Sequence, residues 1–146
     1  MTRRLKAHIR LLRPMRVTST VLAAIGGMFY AGNPVDYSGI HIPLLVVTGA
    51  MLAHFSVNAL NDYLDYRSGL DFKTPRTPFS GGTKVLVDGI ISPVEALTTA
   101  LSCLLLALTI GLYLTLYRGL LVLGLAVIGA LIIATYNRLL VMIGLG

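Results

Sequence analysis

The chain has 146 residues, 55% of them hydrophobic and only 12% charged, with a mean hydropathy of +0.80. That charge share is about half of what a water-soluble domain carries, so a soluble globule is excluded and an integral membrane protein is indicated. The net charge of +6 does not describe a nucleic-acid surface, because the basic residues gather at the ends of apolar runs and are not interleaved with aromatics.

The first 16 residues, MTRRLKAHIRLLRPMR, scatter apolar residues among six basic ones and predict an amphipathic lead-in interrupted at Pro14. A first apolar span follows over about 17–32 and gives way to the turn-rich GNPVDYSG, whose only charge is Asp36. A second span, about 40–60, carries LLVVTGAMLAHFSVNAL into a polar cluster. Ser92, Pro93 and Glu95 then form the signature of a helix start, a capping box with proline at the first helical position. The third span is therefore predicted over 93–117, and after Arg118 a fourth occupies 120–137. Small residues within the spans (Gly26, Gly27, Gly49, Ala50, Gly124, Gly129) are read as packing positions between helices in lipid, and Cys103, in mid-span, as ordinary packing.

The distribution of Lys and Arg predicts the orientation. With the N-terminus inside, eleven of the twelve basic residues fall on the cytoplasmic side and only Arg118 outside. The polar cluster between the second and third spans is then cytoplasmic too. It is the least ordinary stretch of the chain: NALNDYLDYRSGLDFKTPRTPFSGG, residues 58–82, holds three aspartates, two asparagines and three basic residues.

If the second helix continues through Tyr66, then Asn58, Asn61, Asp62 and Asp65 share an arc of ~100°, with His54 one turn deeper on the same face. His54 taken singly is read as a hydrogen-bonded interhelical residue. Carboxylates this close repel unless a cation sits between them, and hard oxygen donors suit Mg²⁺. Lys73, Arg76 and Lys84 add cationic donors, and Ser80, Gly81 and Gly82 a turn whose backbone N–H groups face an anion. Acid for a metal beside base for phosphate implies a metal-bound diphosphate. The spacing matches neither an EF-hand nor a P-loop.

NDYLDYRSGLD followed by RTPFSGG and VLVDGIISPVEAL resembles the first aspartate-rich region of the UbiA superfamily of intramembrane prenyltransferases. The interval from Asp65 to Asp71, with Gly69 between, is more similar to the 1,4-dihydroxy-2-naphthoate branch, which serves menaquinone biosynthesis, than to the 4-hydroxybenzoate branch. LRPMRVTST and YNRLL…GLG also resemble that family's first and fourth helices. The resemblance implies an all-α, polytopic transmembrane helical bundle in the bacterial or archaeal plasma membrane, with the aspartate motif cytoplasmic. It implies a polyprenyl diphosphate held through Mg²⁺ with its tail toward the lipid bilayer, and an aromatic acceptor. Asn58, Asp62, Asp65 and Asp71 would hold the metal. Asn61, Lys73 and Arg76 would face the diphosphate, and Tyr136 and Arg138 would orient diphosphate or acceptor.

Members of that family carry nine helices and a second aspartate-rich motif, whereas these residues supply four spans and no acid beyond Glu95. The expectation is therefore an N-terminal part of one prenyltransferase domain, weak or inert by itself: a sequence truncated before its C-terminal half, a half-protein whose missing C-terminal half is a separate chain, or a degenerate paralogue without catalysis. The residues also admit a reading of another class, a small membrane binding or cation-transport subunit.

Overall fold

The computed structural model describes residues 3–32, 39–75 and 82–142, and their side chains except at 136–138 and 140–142. Six α-helices follow one another: α1 (Arg3–Leu12), α2 (Thr18–Tyr30), α3 (His41–Ser68), α4 (Leu70–Lys73), α5 (Pro93–Arg118) and α6 (Leu120–Met142). A 3₁₀ turn, Pro14–Val17, joins α1 to α2, and no strand occurs among the described residues.

α3 is the hub, packed against α1, α2, α4, α5 and α6. At ~1.5 Å per residue its 28 residues reach about 42 Å, well beyond a ~30 Å hydrocarbon layer, so one end must project from it. α3 and α5 are both long and apolar enough to cross a membrane. Many large apolar side chains on α5 and α6 face outward, among them Leu105, Leu116, Leu121, Leu125 and Leu131. Such a surface is untenable in water and ordinary in lipid. The all-α membrane architecture expected from composition is the one observed.

α2 is shorter than the expected first span. Arg13 takes a left-handed backbone, Pro14 opens the 3₁₀ turn, and only 13 residues of α-helix follow. Proline at this position starts a new helix direction instead of continuing α1, since it lacks the N–H that the preceding turn would bond.

The tightest packing lies at the end of α3 that carries the aspartates. Ala7 and Leu11, one turn apart on α1, meet Ala59 of α3, Val85, Leu86 and Ile91 of the loop before α5, and Ala96 and Ala100 of α5. That loop is compact because its backbone is bonded locally: Asp88 N–H donates to the Lys84 carbonyl at 2.9 Å and Ile90 N–H to that of Val85 at 3.0 Å. α5 then starts on the predicted capping box, Glu95 N–H donating to Ser92 Oγ (3.2 Å) and Ser92 N–H to Glu95 Oε2 (2.7 Å). Ser92→Ala is expected to cost about 1 kcal/mol, read as a lower unfolding midpoint in detergent, because the Glu95 N–H of the first turn loses its side-chain acceptor.

Of the small residues expected at helix contacts, Gly49 is at one. A Cβ there would lie 3.2 Å from Ile110 Cγ2, whereas Gly26, Gly27, Gly124 and Gly129 have open space around them. Gly111, not anticipated, sits 3.0 Å from Ala126 Cβ by the same measure and lets α5 and α6 approach. Cys103 is a free, half-buried thiol.

Candidate functional site

The second helix does continue beyond the aspartates, ending at Ser68 on Gly69, whose φ of 79° gives the left-handed cap that a side chain would resist. Asp62 and Asp65 therefore lie on the last two turns of α3, and Gly69 turns the chain so that Asp71, at the start of α4, comes back toward them. All three are buried, and each carboxylate is close enough to Asp65 for its charge to be felt there.

Asp62 is the most enclosed, 1% exposed. Its Oδ1 accepts a short hydrogen bond from Arg13 Nη2, forming an ion pair with the residue at the α1–α2 break. Its Oδ2 accepts from Thr83 twice, from the hydroxyl and from the backbone N–H at 3.3 Å. Asp71 is held by Lys84, whose Nζ reaches Oδ1 at 2.8 Å and also donates to the Asp71 carbonyl and to Thr74 Oγ1 at 2.8 Å. Lys84 is itself buried.

Asp65 differs. Asn61 Nδ2 donates to its Oδ2 at 2.9 Å, one turn along the helix, but its Oδ1 is buried and has no partner among the described residues. A buried carboxylate oxygen without a donor is costly, and in a native protein it calls for an ion or ligand not yet counted. Among the described residues three carboxylates stand here against two paired cations, Arg13 and Lys84, and Asp65 is the carboxylate without an ion-pair partner.

The remaining expected residues are distributed as follows. Asn58 is buried, but its Nδ2 donates to the Leu12 carbonyl at 2.8 Å; it closes the C-terminal end of α1, where a helix leaves carbonyls unpaired, and in this arrangement it serves as a cap. Lys73 is exposed at the end of α4. Arg76, Ser80 and Gly81 lie outside the described residues, as do the side chains of Tyr136 and Arg138 on α6. His54 is an interhelical hydrogen-bond residue, its Nδ1 at 2.6 Å from Thr20 Oγ1 of α2. Among the described residues no three His, Cys, Asp or Glu side chains are so arranged that they hold a metal unaided.

Arg13, Thr83 and Lys84 complete the cluster, and Arg13 and Thr83 were not anticipated. Arg13 had been assigned only to membrane anchoring, and Lys84 to phosphate. The signal available for Arg13 was its place directly before a helix-opening proline, where a side chain can leave the helical path. Gly82 belongs to the site as well: at φ 69° it lies so close to Asp71 that a Cβ would be 2.6 Å from Oδ1. Gly69 also has positive φ but nothing within 4 Å. The two separate backbone strain from crowding. Gly69→Ala should lower stability by about 1 kcal/mol, and Gly82→Ala by clearly more, since it also displaces Asp71 from Lys84; equal unfolding midpoints for the two would contradict this placement.

Chemically, the cluster offers hard oxygen donors with one unmet negative charge at the projecting end of a membrane helix. That donor set fits Mg²⁺, with Asp65 the open donor and Asp62 and Asp71 available if their cations yield. An apolar cavity of about 610 Å³ runs beside the same helix, lined by Val46, Gly49, Ala53, Leu108, Gly111 and Ile133 among others.

A model of the UbiA prenyltransferase family matches residues 20–145, which is most of the chain. No curated protein and no solved structure gives a match.

Proposed function

Because the chain belongs to the UbiA prenyltransferase family, we propose that it serves the Mg²⁺-dependent transfer of a polyprenyl group from an allylic polyprenyl diphosphate to an aromatic acceptor of the 1,4-dihydroxy-2-naphthoate type. The observation that carries this reading is the buried, unpartnered Asp65 Oδ1 between two further carboxylates at the end of α3. A cluster with an excess negative charge attracts a divalent cation, and a diphosphate is the substrate group that such a cation brings with it.

Asp62, Asp65 and Asp71 would hold the metal, with Asn58 fixing α1 against α3 behind them. When bound, the metal would neutralise charge on the departing diphosphate. The chain's own residues do the rest. Thr83 and Asn61 orient two of the carboxylates by hydrogen bonds. Lys73, exposed at the rim, and Arg76 supply donors for diphosphate oxygens as negative charge builds on them. The apolar cavity lies beside the half of α3 away from the acids, from Ile42 to Ala53, and takes the distal part of the isoprenoid tail.

The location of the acids at a helix end, away from the middle of α3, favours this reading over a cation pathway, which needs acidic groups at membrane depth. In membranes, Mg²⁺-dependent incorporation of labelled prenyl groups into 1,4-dihydroxy-2-naphthoate tests the proposal. Product formation that survives Asp62→Asn would overturn the assignment of the motif, and cation flux through the chain in vesicles would favour the transport reading.

A further inference from the structure

Among the described residues only two non-glycine positions have positive φ, Arg13 at 51° and Lys84 at 59°. They are also the two cations that hold the aspartate motif, one on Asp62 and one on Asp71. A side chain in the left-handed region is unfavourable, and it persists where surrounding structure over-determines it. Both ion pairs are buried: the Arg13 and Asp62 side chains are 14% and 1% exposed, those of Lys84 and Asp71 5% and 3%. The third carboxylate, Asp65, keeps one oxygen enclosed without a donor between them.

We propose that Arg13 and Lys84 are resident counter-ions of the acidic cluster, which occupy the oxygens of Asp62 and Asp71 in the metal-free protein and compete with a divalent cation for them. This rests on the reading that the cluster binds Mg²⁺, and adds to it that metal alone binds weakly. The two cations reach the cluster from opposite sides of it in sequence, Arg13 from the α1–α2 break and Lys84 from the loop before α5. Each stands on a left-handed backbone position. Arg13 Nε is buried without a hydrogen-bond acceptor, so its fork engages Asp62 through one terminal nitrogen and is not locked bidentately. Metal entry therefore exchanges partners: a carboxylate oxygen passes from a guanidinium or ammonium to the divalent ion, and the freed cation turns toward an anion arriving with it. Charge in the buried space never rises far from neutral along this route, which is what makes a three-acid cluster tolerable before the metal arrives.

The test is calorimetric titration of the chain in lipid nanodiscs with Mg²⁺ or Mn²⁺ alone. Arg13→Gln and Lys84→Gln are each expected to bind the metal about tenfold tighter than the unmodified chain or better, and the added metal to raise their unfolding midpoints more than it raises that of the unmodified chain. Arg13→Lys, which keeps the charge, should stay within about threefold of the unmodified chain. A second readout needs no variant: saturating Mg²⁺ should move the side-chain NMR signal of Arg13, labelled in the unmodified chain. Metal affinity equal to or weaker than that of the unmodified chain in both Gln variants, or an Arg13 signal that stays in place while metal binds, would overturn the competition yet leave the metal site standing if Asp65→Asn still weakens binding. Absence of metal binding in every form would overturn both.

Discussion

Asp62→Ala is expected to destabilise the protein by about 3–5 kcal/mol, because it breaks a buried ion pair from one side and leaves the Arg13 guanidinium enclosed without its anion. The loss does not stop at the pair. Thr83 donates to Asp62 through both its hydroxyl and its N–H, so two further donors are orphaned next to the loop that packs Val85 and Leu86 into the core. Most of the effect should vanish when both partners go together: Arg13→Met with Asp62→Leu removes two charges and leaves apolar groups of comparable bulk. A double-mutant cycle on unfolding midpoints in detergent is expected to show the paired variant losing far less than the sum of the single ones. Additive losses would mean that the two residues do not depend on each other, and that α1 is held to α3 by Ala7, Leu11 and Asn58 alone.

The second large effect concerns function. Asp65→Asn keeps the size of the side chain and its hydrogen bond with Asn61, yet it removes the carboxylate charge that has no ion-pair partner among the described residues. Prenyl transfer should fall by about 10²–10³-fold, the scale on which one well-placed electrostatic contributor acts in a transition state. Stability should hold or rise, since an amide is far less costly to bury than an unpaired carboxylate. That pairing of lost activity with retained stability distinguishes Asp65 from Asp62, whose replacement damages both. An Asp65→Asn variant that unfolded like Asp62→Ala would place Asp65 among the structural ion pairs instead.

The elements themselves were legible because their signals are local. Ser92, Pro93 and Glu95 carry a complete helix start within four positions, and the cap forms as read. The span read from hydropathy is about 40–60; that the helix continues through Tyr66 was the condition on which Asn58, Asn61, Asp62 and Asp65 share a face, and α3 meets it by running to Ser68, where Gly69 supplies the left-handed residue. His54 was read as an interhelical hydrogen-bond residue, and Thr20 is its partner.

What stayed hidden depends on contacts far apart in the chain. Arg13 meets Asp62 across 49 positions and Thr83 meets it across 21, and no periodicity links them. Arg13 resembles five other basic residues in the lead-in, any of which serves equally well as a membrane anchor. Only the helix break at Pro14 singles it out. Asn58 shares a face with the aspartates, as expected, but the α1 carbonyl it caps lies 46 positions away, so its structural duty could not be read from its own neighbourhood. For Gly82 the neighbourhood was hidden for the same reason: the group pressing on it is the carboxylate of Asp71, eleven positions earlier.

The most direct measurement is the binding of a polyprenyl diphosphate to the chain in nanodiscs, titrated with and without Mg²⁺, for the unmodified protein and Asp65→Asn. Uptake that requires the metal and is lost in the variant is the predicted result. Equal uptake with and without Mg²⁺, or an Asp65→Asn chain that binds as the unmodified one does, would contradict a metal-held diphosphate at this acidic helix end.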